Sequence, residues 1–249
     1  MFKKTLLGLG LSFFLLSGLH AKVTKIDYKA TFGIFGTVGM IKNTLTQSAK
    51  RYTIDTKLSL SGLAKMLLGN QGGHYISKGH FENGLMVSDL YQSIEHLKGE
   101  TISKEYWINH KKKYVTKKYK KWVKGKLVKN TSKRLNFYAK DDLLSFYFNM
   151  NRHLKIKNNK KHKYQFLVVG LEKQKGKVQV TVANRFERKS YAKDLGNTAD
   201  WYAKAFIHQK NFRKKKGDVL LSVSKDGYIK ASVIKDILLY GDARLERIK

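Results

Sequence analysis

Apolar and polar residues alternate along much of this chain with a period of two. Ile26, Tyr28, Ala30 and Phe32 alternate with Lys25, Asp27, Lys29 and Thr31. Tyr52, Ile54, Leu58 and Leu60 are interleaved with Arg51, Thr53, Asp55, Lys57 and Ser59, and Val178, Val180 and Val182 with Lys177, Gln179 and Thr181. Such segments predict strands with one buried and one wet face, the habit of antiparallel sheets. Turn chemistry separates them. Asn83-Gly84, Gly125 and Gly176 sit between runs, and Asp226-Gly227 predicts a tight hairpin between residues 218–224 and 228–240.

Two segments leave this period. Ser61 precedes Leu63, Met66 and Leu67 at helical spacing, and Gly69 ends that turn. Asp141-Asp142 precedes Leu143, Leu144, Tyr147, Phe148, Met150 and Leu154, a wide apolar stripe of helical period. Adjacent carboxylates at a helix start read as a cap, accepting free N–H groups at the positive end of the dipole, ahead of an acid/base or metal pair. The predicted fold is mainly β (α+β): a curved antiparallel sheet or partly open β-barrel of about ten strands, with two short helices packed on or into it.

The N-terminus sets the expected compartment. Phe2-Lys3-Lys4 is basic, Thr5 to Leu19 is uncharged over 15 residues, and Ser17 to Ala21 closes with small residues. That order predicts a signal peptide over residues 1–21, cleaved after Ala21, and a single β-rich periplasmic domain over residues 22–249. The apolar run falls short of the ~20 residues a spanning helix needs, which argues against an uncleaved anchor. No transmembrane helix is expected in the mature chain.

Export changes how the charge is read. Removing Lys3 and Lys4 from 51 Lys+Arg leaves 49 against 18 Asp+Glu, a mature charge of +31. The polyanions of the expected compartment are lipopolysaccharide, lipid headgroups and acidic glycans, and nucleic acid is not an expected partner. Of the basic residues 43 are Lys and 8 are Arg. Arg is the residue suited to bidentate base and phosphate contacts, so this bias points away from a base-reading code. A solvated basic surface without a specific partner stays open beside these. There is no cysteine, which excludes disulfides, thiol catalysis and thiolate metal sites.

Two motifs carry a resemblance. Tyr28-Lys-Ala-Thr-Phe-Gly-Ile-Phe-Gly-Thr-Val-Gly39 is similar to the opening strand, glycine turn and second strand of the exported domain-of-unknown-function 3108 family. Asp142-Leu-Leu-Ser-Phe-Tyr147 resembles that family's helix start, with Leu143 where a Pro is common. The resemblance spans about Ile26 to Ile234. It implies an exported, β-rich domain of the bacterial envelope and no catalytic residue.

The residues themselves give little enzymatic chemistry. Glu95-His96 lacks the second His of a zinc-protease helix, and His74 and His80 have a spacing that matches no familiar ligand pair. Ser190-Tyr-Ala-Lys193 and Ser222-Val-Ser-Lys225 fit a bare Ser-x-x-Lys string without its companion motifs. No cofactor, metal site or catalytic residue is expected. One constellation stands out: eleven lysines and no acid between Lys111 and Lys133, with Tyr106, Trp107, Tyr114, Tyr119 and Trp122 in or beside the stretch. Lys111, Lys112, Lys113, Lys117, Lys118, Lys120, Lys121 and Trp122 are the candidate anion contacts. Lysines that protect a sheet edge are the competing reading.

Three function classes follow. The leading one is a non-enzymatic envelope module holding an apolar or amphipathic ligand in a curved-sheet cup lined by Met66, Leu67, Phe146, Tyr147 and Met150. The second binds anionic lipid, lipopolysaccharide or glycan through the basic hairpin. The third is a hydrolase without a visible site.

Overall fold

The computed structural model describes residues 21–62, 65, 71–154, 162–207, 217–237 and 241–249. The period-two segments form strands: β1 (Lys22–Phe32), β2 (Thr37–Gln47), β3 (Arg51–Leu60), β4 (Gly72–Glu82), β5 (Leu85–Leu97), β6 (Glu100–Asn109), β7 (Tyr114–Val123) and β8 (Lys126–Arg134). A two-residue β9 (Asp141–Asp142) leads into helix α1 (Leu143–His153), followed by β10 (His162–Val169), β11 (Lys177–Val182) and helix α2 (Arg188–Leu195). The chain closes with β12 (Trp201–Ile207), β13 (Gly217–Val223), β14 (Ile229–Ile237) and β15 (Gly241–Arg247). Ile26 and Tyr28 of β1, Tyr52 and Ile54 of β3, and the three valines of β11 are the inward residues, as alternation dictates. Asn83 and Gly84 have φ of 51° and 76°, and Lys124 and Gly125 have 47° and 77°. Two successive left-handed residues match the right-handed twist of the flanking strands, so these hairpins turn in two residues.

Among the described residues all strands belong to one sheet, in the order β8-β7-β6-β5-β4-β3-β2-β1-β15-β14-β13-β12-β11-β10-β9. Neighbours are antiparallel except β9, which pairs parallel with β10. The two halves join where β1 meets β15, with Ala30 opposite Leu245. The sheet has 15 strands rather than about ten. The extra strands carry weak alternation: β8 is exposed at all nine positions, with Leu127 and Val128 adjacent rather than alternating, β12 has buried neighbours in succession at Trp201, Tyr202 and Ala203, and β9 is two residues long. The 218–224 hairpin forms as β13 and β14, with Val219 opposite Ile234; residues 238–240 lie outside the described residues.

The sheet curls until its β9 end meets β5–β7. Ser88 N donates to Lys140 O at 2.9 Å, Tyr106 Oη donates to Glu172, and Lys117 Nζ pairs with Glu172 at 2.8 Å. Inside the curl lies α1. Phe146, Met150 and Leu154 pack against β10–β13, Phe148 against Ile26, Tyr28, Leu45 and Ile54, and Leu143 and Leu144 against Tyr91, Tyr106 and Val115. A helix with apolar residues on several faces is stable only when surrounded, and here the sheet surrounds it. Helix α2 fully buries only Leu195, with Tyr191 and Ala192 half-buried beside it, a stripe too narrow for the pattern to mark. The helical turn expected from Ser61 to Gly69, with Leu63, Met66 and Leu67, lies largely outside the described residues. So does the expected signal peptide up to His20.

Candidate functional site

The sheet ends in a flap of β6, β7 and β8, of which β6 and β7 carry the seam residues Tyr106 and Lys117 and β8 is exposed throughout. Register fixes its two faces, because directly opposed residues share a side. Tyr106 opposes Lys117, Lys104 opposes Tyr119 and Ile102 opposes Lys121, and this is the inner face. Trp107 opposes Thr116, Ser103 opposes Lys120 and Thr101 opposes Trp122, and this is the outer face. The lysines therefore divide between faces, as period two requires.

The inner lysines are engaged. Lys117 pairs with Glu172, and Lys121 with Glu100 at 2.8 Å. Burial pushes the Glu172 carboxyl up, but its bonds from Lys117 and Tyr106 outweigh burial and hold it below the usual carboxylate range. Lys117 is thus part of the seam that closes the sheet. The outer lysines differ. Lys118 Nζ sits 5.8 Å over the Trp107 ring, and Trp107 Nε1 bonds to Glu105 at 3.4 Å. Among the described residues no carboxylate lies within ion-pair distance of Lys118, Lys120, Lys124 or Lys126. Trp107 is 47% exposed, Leu127 51% and Val128 57%. A groove of about 530 Å³ at the flap tip is lined by Ile94, Leu97, Thr101, Trp122, Lys124 and Gly125, large enough for an acyl chain or ring-sized group. Lys111, Lys112 and Lys113 are exposed at the opposite end of the hairpin. The eight candidate anion contacts are not one cluster, and Lys118, Lys120 and Trp122 are those that share a free face.

Of the expected cup-lining residues, those on α1 pack against the sheet. Phe146 and Met150 are each 6% exposed and belong to the core. Tyr147 is half-buried against Tyr28, its hydroxyl bonded to the Tyr28 hydroxyl, and desolvation raises its pKa well above the ordinary tyrosine value. These three sit on α1, which lies inside the space the curved sheet encloses. Met66 and Leu67 lie outside the described residues.

Asp142 is the cap the sequence predicts, and more. Its Oδ1 accepts from Leu144 N at 2.7 Å and Ser145 N at 2.9 Å, and Ser145 Oγ accepts from Asp142 N in return. Its Oδ2 accepts from Ser77 Oγ and Ser88 Oγ, each at 2.5 Å. The residue is fully buried, and burial raises its pKa to about 6 despite these bonds. Asp141, Ser145, Asn149 and His153 recur every fourth residue and form a polar line along α1. Asn149 Nδ2 donates to Asp141 Oδ1 at 2.7 Å and to Met86 O at 2.8 Å, its Oδ1 accepts from Met86 N, and His153 Nε2 reaches Asp141 at 2.8 Å. This line fastens the helix to β5. A four-residue polar period inside an apolar helix was the available signal for it.

Ser190 and Lys193 are exposed on α2, and Ser222 Oγ is bonded to both the N and O of Ala231. Neither Ser-x-x-Lys string forms a bonded serine–lysine pair. The chain has no cysteine and so no disulfide. Among the described residues no helix is long and apolar enough to cross a membrane.

No family model matches the chain, and no curated protein matches it. The structure is similar to the crystal structure of a β-barrel-like protein, of domain of unknown function DUF1849, from Brucella abortus. The TM-score is 0.50 at 9% identity, over 90% of this chain and 95% of that one. The likeness is one of fold. It agrees with a mainly β architecture built on one large curved sheet, and the resemblance to the 3108 family rests on its two short motifs alone.

Proposed function

We propose that this protein is a non-enzymatic, exported domain of the bacterial envelope that binds an anionic amphiphile at the outer face of its β6–β8 flap. One observation carries the reading. Lys118 and Lys120 flank exposed Trp107 on the outer face, and Lys124 and Lys126 at the adjoining turn sit beside exposed Leu127 and Val128 of the terminal strand. Apolar side chains rimmed by cations suit a surface whose lipids present anionic headgroups above acyl chains. The groove at Trp122 and Leu97 extends that apolar strip. The motif resemblance to an exported family and the expected signal peptide support the location. A cargo inside the curl has less support, because α1 lies there.

Edge protection is the second reading, and a specific observation favours it: β8 is the terminal strand of the sheet. Vesicle co-sedimentation separates the two. The protein is expected to bind vesicles containing phosphatidylglycerol and not pure phosphatidylcholine. Binding should fall steeply as salt shortens the Debye length from about 30 Å at 0.01 M to about 8 Å at 0.15 M. Equal binding to both vesicles, or none at low salt, would count against the proposal.

A further inference from the structure

A β-bulge brings three metal-ligating side chains together on the outside of the curl. In the β4–β5 ladder Lys78 faces Leu90 and Gly79 faces Ser88, so Asp89 is the extra, unpaired residue. A bulge turns side chains out of their regular alternation. Here it sends Ser88 inward to Asp142 and Asp89 outward to two imidazoles. His80 Nδ1 lies 3.0 Å from Asp89 Oδ1, and His110 Nε2, from the turn after β6, lies 3.3 Å from the same oxygen. One ligand atom from each residue lies within 4.8 Å of the others. We propose that His80, Asp89 and His110 form a binding site for a divalent transition ion, Zn²⁺ being the best match.

The chemistry of the set supports this. Two imidazole nitrogens and one carboxylate oxygen are borderline donors that suit Zn²⁺ and its neighbours, whereas Ca²⁺ and Mg²⁺ take oxygen shells. A tetrahedral ion with bonds of about 2.1 Å has ligand–ligand edges of about 3.4 Å, so small side-chain shifts suffice. The supporting contacts are also present. Arg51 Nη2 holds the second carboxylate oxygen at 3.2 Å, leaving Oδ1 for the ion. Tyr138 Oη lies 2.9 Å from His110 Nδ1, a partner that orients a ligating imidazole. His110 Nε2 also contacts Ser88 O at 3.0 Å. In the free protein that nitrogen carries the proton. On metal binding the proton moves to Nδ1 and faces the Tyr138 oxygen, so binding exchanges one tautomer for the other. The ligand side chains are 25–36% exposed, which gives the ion access from solvent and leaves the fourth position to water.

Titration of the purified protein with Zn²⁺ against a chromogenic zinc indicator is the test, with thermal unfolding as a second readout. The expected result is one saturable site per chain and a raised unfolding midpoint, with no such response to Ca²⁺. Tyr138→Phe should weaken binding about tenfold, the usual cost of losing an orienting partner. His80→Gln and His110→Gln should each weaken it further, and His74→Gln, at a separate His–Asp pair, should not. Absence of saturable binding or of a midpoint shift in the unmodified protein would overturn the site. So would an unchanged stoichiometry in the His80→Gln/His110→Gln variant, which would place the ion elsewhere.

Discussion

Replacing Asp142 by alanine is expected to cost about 4 kcal/mol of stability, while Asp142→Asn costs little at neutral pH. The alanine variant loses a helix cap, worth about 0.5–2 kcal/mol. It also strands buried donors on Ser77, Ser88, Leu144 and Ser145, at about 1–3 kcal/mol for each that finds no substitute. Asparagine is isosteric. Its Oδ1 can keep the two backbone N–H bonds of Leu144 and Ser145, and its Nδ2 can donate to the serine oxygens once those hydroxyls turn. The pH dependence gives the sharper check. Burial raises Asp142 to about 6 in the folded protein, against about 3.9 unfolded. Between those values the folded state binds a proton that the unfolded state has released. Stability from this group is therefore fully present below about pH 4 and lost as pH rises through about 6, by roughly 2–3 kcal/mol. Unfolding free energies from urea titration of the native protein and Asp142→Asn should diverge by that amount in favour of Asn between about pH 4 and pH 7. If Asn proves as damaging as Ala at pH 7, the ionised carboxylate itself is required, and the cap account is wrong.

The second large effect concerns the flap. Replacing Lys118, Lys120, Lys124 and Lys126 together with Gln should nearly abolish binding to anionic vesicles at low salt. Each lysine near an anionic surface contributes about 1 kcal/mol, so four correspond to roughly a thousandfold in affinity. Trp122→Ala should weaken binding further by removing a ring from the apolar groove. Lys117→Gln should behave differently, because its ammonium bridges the seam to Glu172; its main effect should be on stability. Edge protection predicts another outcome for the fourfold variant, with binding unchanged and aggregation increased. Light scattering and co-sedimentation on one sample distinguish them.

The fold was legible where side chains alternate and turns carry left-handed residues. Tyr52, Ile54 and the β11 valines announce buried faces, and Asn83-Gly84 announces a hairpin. Strands without alternation escaped: β8 touches solvent on both faces, so nothing selects a period. The capping role of Asp142 was legible because a cap is local. Its partners Ser77 and Ser88 were not, since they lie 65 and 54 residues away and meet it only when the sheet curls. The depth at which Phe146 and Met150 are buried escaped for a related reason. Helical periodicity says that α1 has an apolar stripe, but not that three separate strand groups will cover it. Asp89 turns toward His80 through a one-residue bulge and His110 reaches both from the turn after β6, a meeting no spacing rule detects.

Hydrogen exchange with and without anionic vesicles at low salt tests the central claim most directly, since it locates the contact. The account predicts slowed exchange confined to peptides covering the flap, from Leu97 to Arg134, with α1 and β10–β14 unchanged. It also predicts that the protection disappears in the Lys118/Lys120/Lys124/Lys126→Gln variant. Protection elsewhere on the sheet, or none in the flap while the protein is vesicle-bound, would contradict it.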